Sequence, residues 1–118
     1  MSNKHSKNWG STVEIIKNAF VEVHRAEINK GGHCSEHLHQ YKTNTFIVES
    51  GKLLIKQFRP TGTVDETILY AGDYIECPPN EKHQFVGLED TVLYEVYYPQ
   101  GIGAVDIVRF SEGFMAHE

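Results

Sequence analysis

Residues 31–51 read GGHCSEHLHQYKTNTFIVESG and place a His-x-His pair between glycines. Because side chains alternate along a β-strand, His37 and His39 would project from one face and could chelate one metal ion. A third histidine, His83, follows a proline-rich turn in residues 72–85, GDYIECPPNEKHQF. Three imidazoles suit a transition metal and leave coordination positions open for water or substrate. The sequence therefore predicts a metal site built from separate strands.

Length and charge limit the class of protein. With 118 residues the chain is long enough for one domain, which we place at residues 9–118, after a polar and flexible segment at residues 1–8. A net charge of −5 without a basic stripe argues against a nucleic-acid partner. No apolar run is long enough to cross a membrane, and no secretory region begins the chain. We therefore expect a cytoplasmic protein with a small-molecule ligand.

Short β-strands separated by turn residues account for the rest of the chain. Convincing helical periodicity is missing, and Pro78-Pro79 must end a strand. Residues 82–88 and 91–98 are predicted to form a hairpin about Glu89-Asp90. The other strands are predicted at residues 9–16, 20–28, 34–41, 45–50, 52–58, 67–70, 74–77 and 105–110. This pattern predicts an antiparallel barrel or jelly roll.

The two cysteines are predicted to be free thiols. Cys34 and Cys77 form no CxxC motif, and disulfides are rare in the cytosol. Cys34 lies close enough to the histidine pair to line the site, although a small buried side chain is the simpler interpretation. The predicted core side chains are Phe46, Val48, Leu53 and Phe85.

The spacing of glycine and histidine resembles the two motifs of the cupin superfamily. The first, G-x5-H-x-H-x3/4-E-x6-G, is matched by Gly31, His37, His39, Asn44 and Gly51. The second, G-x5-P-x-G-x2-H-x3-N, is matched by Gly72, Pro78 and His83, while Asn80 stands in place of its second glycine and Gly87 in place of its final asparagine. The resemblance implies an all-β, single-domain cupin jelly roll, also called a double-stranded β-helix barrel. It further implies a homodimer and one divalent ion per chain: zinc, manganese, iron or nickel.

Asn44 stands where the cupin motif usually has a glutamate ligand. An amide is a neutral and weaker oxygen donor than a carboxylate. The site is therefore either three histidines plus Asn44, or three histidines plus water with Asn44 as a hydrogen-bonding neighbour. Without a carboxylate ligand the ion would keep its full double positive charge, which favours anionic or enediolate-like ligands.

A narrower resemblance is to the isomerase domain of the bifunctional mannose-6-phosphate isomerase and mannose-1-phosphate guanylyltransferase family, of the type II mannose-6-phosphate isomerases. It rests on Trp9-Gly10, residues 72–85, LYEV at 93–96 and, most specifically, DIVRF at 106–110. That family interconverts aldose and ketose phosphates with a divalent metal, which implies an isomerase here and a phosphate or structural role for Arg109. The family's Tyr-Gly-Arg end is replaced by residues 114–116, Phe-Met-Ala.

Further candidates come from strand parity. Glu95 and Tyr97 share one face of their predicted strand and Tyr94 the other, so Glu95 or Tyr94 is the catalytic candidate, depending on which face points inward. Lys42 and Tyr41 follow the histidine pair at the rim and could anchor a phosphate or carboxylate.

The remaining histidines are predicted to play no part in the site. His33 is expected in a loop. His5, His24 and His117 are expected to be solvent-facing or packing residues.

Three functions remain open from sequence. A metal-dependent isomerase or epimerase acting on a sugar phosphate is slightly favoured. An iron-dependent dioxygenase would use the carboxylate-poor three-histidine site, as some oxygen-using cupins do. A non-catalytic cupin would hold a small ligand over the ion.

Overall fold

The computed structural model describes residues 4–99 and 107–115, and these contain thirteen β-strands and no helix. The all-β prediction is confirmed. The strands are β1 Lys4–Lys7, β2 Gly10–Lys17, β3 Glu22–Ile28, β4 Gly32–His33, β5 His37–His39, β6 Thr43–Ser50, β7 Lys52–Phe58, β8 Val64–Tyr70, β9 Tyr74–Cys77, β10 Lys82–Gly87, β11 Thr91–Tyr98, β12 Ile107–Arg109 and β13 Phe114–Met115.

Two antiparallel sheets form the molecule. One sheet has the strand order β1-β2-β3-β11-β6-β9. The other has the order β12-β5-β10-β4-β13, with β7 also paired to β10 and β8 paired to β7. The chain crosses repeatedly between the two sheets, as in a jelly roll. The predicted jelly-roll barrel is therefore confirmed.

The core lies between the inner faces of the two sheets. Phe46, Val48, Leu53 and Phe85 are fully buried, as predicted, and Trp9 packs edge-on against Phe85 with ring centroids 5.0 Å apart. Burying large apolar side chains of this kind supplies most of the stability of a small domain.

Two strands connect this core to the site. In β6 the inward side chains are Asn44, Phe46 and Val48, and in β10 they are His83 and Phe85. Each strand therefore changes from apolar to polar within two residues along one face. Because the same strands carry both sets, the polar side chains at this end of the barrel are held by the packed core beside them.

The predicted hairpin at Glu89-Asp90 is wrong. β10 pairs with β4, β5 and β7, whereas β11 pairs with β3 and β6 in the opposite sheet. The turn therefore carries the chain from one sheet to the other. Closeness in sequence suggested a local pairing, but the pairing of these strands is decided by distant partners.

The ends of the chain also differ in part from expectation. Lys4–Lys7 pairs with β2 in the segment predicted to be flexible. The last predicted strand overlaps β12, while Asp106 and His117 lie outside the described residues. In the described part of the chain, no helix could serve as a membrane span.

Candidate metal centre

Three histidines meet inside the polar end of the barrel. Strand β5 pairs with β10 so that His37 lies directly opposite His83, with ring centroids 4.5 Å apart. His39, two residues further along β5, lies 5.6 Å from His83 between ring centroids. Each ring offers one nitrogen, and the three nitrogens lie within 4.8 Å of one another. The structure thus brings together the three histidines that the sequence singled out.

Backbone carbonyls orient two of the rings. Nδ1 of His37 lies 2.8 Å from the carbonyl oxygen of Ser35, and Nδ1 of His83 lies 3.2 Å from that of Glu81. A carbonyl only accepts, so Nδ1 carries the proton and Nε2 of the neutral ring keeps its lone pair. Among the described residues, Nε2 of His83 is buried without a hydrogen-bond partner. Rings held in this way are ready to bind a metal ion through Nε2.

Burial keeps these imidazoles neutral. Loss of solvent, followed by the neighbouring His39 and Arg109, lowers the pKa of His37 to about 4. Loss of solvent, followed by His37 and His39, lowers the pKa of His83 to about 3. Neutral imidazole is the form that binds metal, so at neutral pH no proton has to leave these rings first.

Asn44 lies on β6 in register with Tyr97, whose ring contacts His39. Asn44 is 1% exposed, and within the described part of the chain neither Oδ1 nor Nδ2 has a hydrogen-bond partner. Leaving a buried polar group unsatisfied costs about 1–3 kcal/mol. An ion bound to the amide oxygen would remove that cost for the oxygen. Three neutral nitrogens and one amide oxygen fit a divalent transition metal. The role of Asn44, as ligand or as hydrogen-bonding neighbour, stays a prediction.

A cavity of about 910 Å³ opens beside His37 and His39. Of the other predicted candidates, its wall includes Glu95, Lys42 and Arg109. The cavity could hold a small molecule against the histidines, because its volume falls in the range of ordinary ligand sites.

The inward face of β11 is the one that carries Glu95. Leu93 and Glu95 are buried, and the Tyr97 hydroxyl donates a hydrogen bond to the Glu95 carboxylate. Burial raises the pKa of Glu95, although the Tyr97 hydrogen bond opposes this. Burial, followed by the Glu95 charge, raises the pKa of Tyr97 as well. The Tyr97 ring also contacts His39, with centroids 5.0 Å apart, and so links the carboxyl to the histidine cluster.

Tyr94 and Tyr41 lie away from the cavity wall. Tyr94 belongs to the outer face of β11, where its hydroxyl donates to Glu49 at 3.1 Å. Tyr41 is 52% exposed. Strand parity explains Tyr94, because Glu95 and its neighbours on β11 must point to opposite faces.

Positive charge is concentrated at the cavity. Lys42 is only 8% exposed, and Arg109 lies on β12 in register with His37. Four of the eleven Lys and Arg residues line the cavity, against three of the sixteen Asp and Glu residues. These basic residues are Lys7, Lys17, Lys42 and Arg109, and the acidic ones are Glu22, Glu95 and Glu112. An acidic protein therefore presents a comparatively basic cavity.

Several cavity residues were not predicted from sequence, among them a carboxylate and a histidine on β3. Glu22 and His24 line the same cavity, and His24 Nε2 lies 2.5 Å from Glu22 Oε2. His24 had been predicted to be a solvent-facing or packing residue. His24 shares strand parity with Ala26 and Ile28, which are both buried on β3. This parity is the sequence signal that indicates an inward position for His24.

Both cysteines are free and buried, as predicted. Cys34 lines the cavity and also belongs to the core. Burial raises the pKa of both thiols, that of Cys77 to about 12. Neither is a thiolate at neutral pH, so neither is suited to act as a nucleophile.

Comparison with known proteins identifies the family. The cupin domain profile matches residues 24–97, which include the three histidines, Asn44 and Glu95. The jelly-roll barrel and the histidine cluster at its polar end define the same class of protein. The chain belongs to the cupin family. No curated protein matches the sequence.

Solved structures are similar in fold at low sequence identity. The chain aligns with the capsular polysaccharide assembling protein CapF from Staphylococcus aureus (TM-score 0.79, 19% identity, 94% of this chain and 32% of that one). Oxalate decarboxylase from Bacillus subtilis gives a TM-score of 0.80 at 12% identity, over 92% of this chain and 30% of that one. Pac13, a nucleoside dehydratase, gives a TM-score of 0.78 at 18% identity, over 94% of this chain and 86% of that one. The chain thus spans about a third of the first two proteins.

Proposed function

We propose that this cupin is a metal-dependent enzyme that transfers protons on a small anionic substrate, with isomerisation of a sugar phosphate of the mannose-6-phosphate type as its reaction. The observation that carries the proposal is the buried Glu95 carboxyl, which opens on the same cavity as the histidine cluster. The comparisons show the cupin family, and the narrower resemblance to the isomerases supplies the choice of substrate.

The proposed metal ligands are His37, His39 and His83, with Asn44 as the fourth donor. A divalent ion bound there would act as a Lewis acid on a carbonyl or hydroxyl oxygen of the substrate. Zinc, manganese, iron and nickel all accept such a donor set. Manganese is named for one relative, since Mn(II) centres are described in oxalate decarboxylase from Bacillus subtilis.

Glu95 is the proposed general base. Isomerisation of an aldose phosphate requires removal of a proton from the carbon next to the carbonyl and its return to the neighbouring carbon. A carboxyl whose pKa is raised by burial is a stronger base than an exposed one, and it can hold the proton between the two steps. The Tyr97 hydroxyl holds one oxygen of Glu95 and leaves the other for the substrate.

The proposed anchors of the substrate's anionic group are Lys42 and Arg109. Both line the cavity, and Arg109 is close enough to the cluster for its charge to lower the pKa of His37. A guanidinium beside a divalent ion is unfavourable unless an anion lies between them. A phosphate suits this position, because a guanidinium can donate two parallel hydrogen bonds to it.

The test is proton exchange on defined sugar phosphates. Protein reconstituted with each of the four metals is incubated in D2O with mannose 6-phosphate or fructose 6-phosphate, and proton NMR follows deuterium incorporation and product. Glu95→Gln should slow exchange about 10²- to 10⁴-fold, the usual contribution of a general base. Glu49→Gln, on the outer face, is the matched control and should keep full activity.

Other results would contradict the isomerase proposal or favour a different function. If a panel of hexose and pentose phosphates shows no exchange, the proposal is wrong. Oxygen uptake by the iron-loaded protein with thiols, diketones or phenols would favour a dioxygenase, which the carboxylate-free histidine set also fits. Tight binding of a sugar phosphate without conversion would identify a binding protein.

A further inference from the structure

We infer that His24, oriented by Glu22, is a second proton-transfer residue of this cavity and works on the substrate together with Glu95. The inference rests on the proposed function. It assigns a catalytic role to His24 and a positioning role to Glu22.

Strand pairing places His24 beside the proposed base. His24 on β3 is in register with Glu95 on β11, and both side chains line the cavity that contains His37 and His39. The His24 side chain is 17% exposed. It also contacts the Tyr97 ring, with centroids 5.9 Å apart. Two groups able to carry a proton thus lie side by side on one wall.

Glu22 fixes which nitrogen of His24 is available. Because a carboxylate only accepts, the 2.5 Å contact is a hydrogen bond from Nε2–H of His24 to Oε2 of Glu22. Nδ1 is then the nitrogen that can take up or give a proton, and among the described residues no other hydrogen bond holds this ring.

Glu22 remains a carboxylate in these surroundings. Burial raises the pKa of Glu22, but the hydrogen bond from His24 and the positive charges of His24, Lys17 and Lys42 outweigh it, so the pKa is lowered overall. Lys17 Nζ lies 4.0 Å from Glu22 Oε1. The groups that face His24 from neighbouring strands are Glu14 on β2 and Glu95 and Tyr97 on β11.

A second cation site at the same place is less favourable. Glu14, Glu22 and His24 offer ligand atoms within 4.8 Å of one another. However, Lys17 and Lys42 already act on Glu22, and His24 uses Nε2 in its bond to that carboxylate. A proton carrier accounts for these contacts better than a metal ligand does.

Glu95 and His24 together can supply and take up every proton that the isomerisation moves. The Glu95 carboxylate takes the proton from the carbon next to the carbonyl, and the C–H electron pair becomes the C=C bond of an enediol. The carbonyl oxygen takes the proton from Nδ1 of the His24 imidazolium. Glu95 then gives its proton to the former carbonyl carbon, and Nδ1 of the neutral His24 takes the proton from the hydroxyl of the neighbouring carbon, whose oxygen becomes the new carbonyl. Both residues return to their starting protonation states. No external oxidant or reductant is needed.

The test uses a probe that resembles the enediolate and does not depend on turnover. Zinc-loaded protein with 15N-labelled histidine is titrated with glycolohydroxamate, and the His24 resonances are assigned by their loss in His24→Gln. The His24 Nδ1 resonance should shift on binding. Affinity should fall about tenfold in His24→Gln, as expected for loss of a hydrogen bond to a charged group. Glu22→Gln should give a smaller fall.

The matched control is His33→Gln. His33 is half-buried against Phe114, with ring centroids 4.0 Å apart, and does not line the cavity. Zinc content should be unchanged in all three variants. An unshifted Nδ1 resonance, or an affinity for glycolohydroxamate that His24→Gln leaves unchanged, would overturn the inference while leaving the zinc site and Glu95 in place. A wild type that shows the His24 response to glycolohydroxamate but no exchange on sugar phosphates would instead count against the proposed function.

Discussion

Asn44 is the residue at which this site departs most from the cupin motif. Its amide is fully buried, without a hydrogen-bond partner in the described part of the chain. Asn44→Asp would place a carboxylate among the three histidines. We expect the variant to bind zinc about tenfold or more tightly, because a carboxylate is the stronger ligand. Competition with a fluorescent zinc chelator measures this.

The metal-free form of Asn44→Asp should respond in the opposite direction. A buried carboxylate without an ion loses its solvation, which costs several kcal/mol, so the apo variant should melt earlier than the wild type. Unchanged zinc affinity together with unchanged apo stability would show that Asn44 lies away from the ion. Asn80→Asp, on a turn outside the cavity, is the control.

The buried Glu95 carboxyl should also affect how folding stability depends on pH, which can be measured without a substrate. Its pKa is raised in the folded protein, so the favourable contribution of this carboxyl is present at low pH and is lost as the pH rises through the folded pKa. Glu95→Gln should therefore raise the melting temperature at pH 7 and have little effect at pH 4, where the carboxyl is protonated in the folded state. Thermal melts at the two pH values check this, and equal shifts at both would contradict it.

The sequence predicted part of the site at this scale. Parity placed His37 and His39 together, and motif spacing added His83 and Asn44. It could not say whether Glu95 or Tyr94 points inward, because both faces of β11 carry tyrosines and apolar residues. That choice depends on which side of β11 meets the opposite sheet.

At the scale of elements, two glycines with positive φ have different surroundings. Gly51, with φ 95°, lies between β6 and β7, and a Cβ there would meet the Asp90 carbonyl oxygen at 2.3 Å. Gly62 has φ 92°, but nothing lies within 4 Å of its Cβ position. Gly62→Ala should cost about 1–2 kcal/mol for the left-handed backbone alone. Gly51→Ala should cost clearly more, because the backbone that it meets must move.

Urea unfolding of the two alanine variants compares these costs directly. Gly72→Ala serves as a second control, since Gly72 has φ 89° and open space around it. Equal losses at Gly51 and Gly62 would show that packing of the β6–β7 turn against Asp90 contributes nothing.

Element boundaries were predicted better than element partners. The predicted limits of β7, β9 and β11 agree with the structure, because turn residues and Pro78-Pro79 end those strands locally. The predicted pairing of β10 with β11 was wrong, because each strand pairs with strands far away in sequence. The site residue His24 was missed for the same reason, since β3 acquires its inward face only when β11 lies beside it.

At the scale of the whole molecule, the buried histidines predict how the metal-free protein responds to acid. The pKa of His37 is about 4 and that of His83 about 3 in the folded state, against an ordinary value of 6.5. Between pH 6.5 and these values the unfolded chain binds more protons, so stability falls as the pH falls. The raised pKa of Glu95 acts in the opposite direction. Because two histidines lose stability on acidification and one carboxyl gains it, we expect a net loss of stability as the pH falls from 6.5 to 4.

Urea unfolding of the metal-free protein at several pH values tests this, with His83→Gln as the comparison. The variant should lose less stability over that range. Bound metal should steepen the acid dependence of the wild type, because protons compete with the ion for the imidazoles. A metal-free wild type that is equally stable at pH 6.5 and 4 would contradict the burial of neutral histidines.

Elemental analysis shows whether the three histidines in the barrel hold a metal ion. The protein is purified without chelators or a histidine tag and compared with His39→Gln, His83→Gln and the control His33→Gln. We expect about one divalent ion per chain in the wild type and in His33→Gln, and almost none in the other two variants. A wild type that stays metal-free after reloading, or equal metal content in His83→Gln, would contradict it.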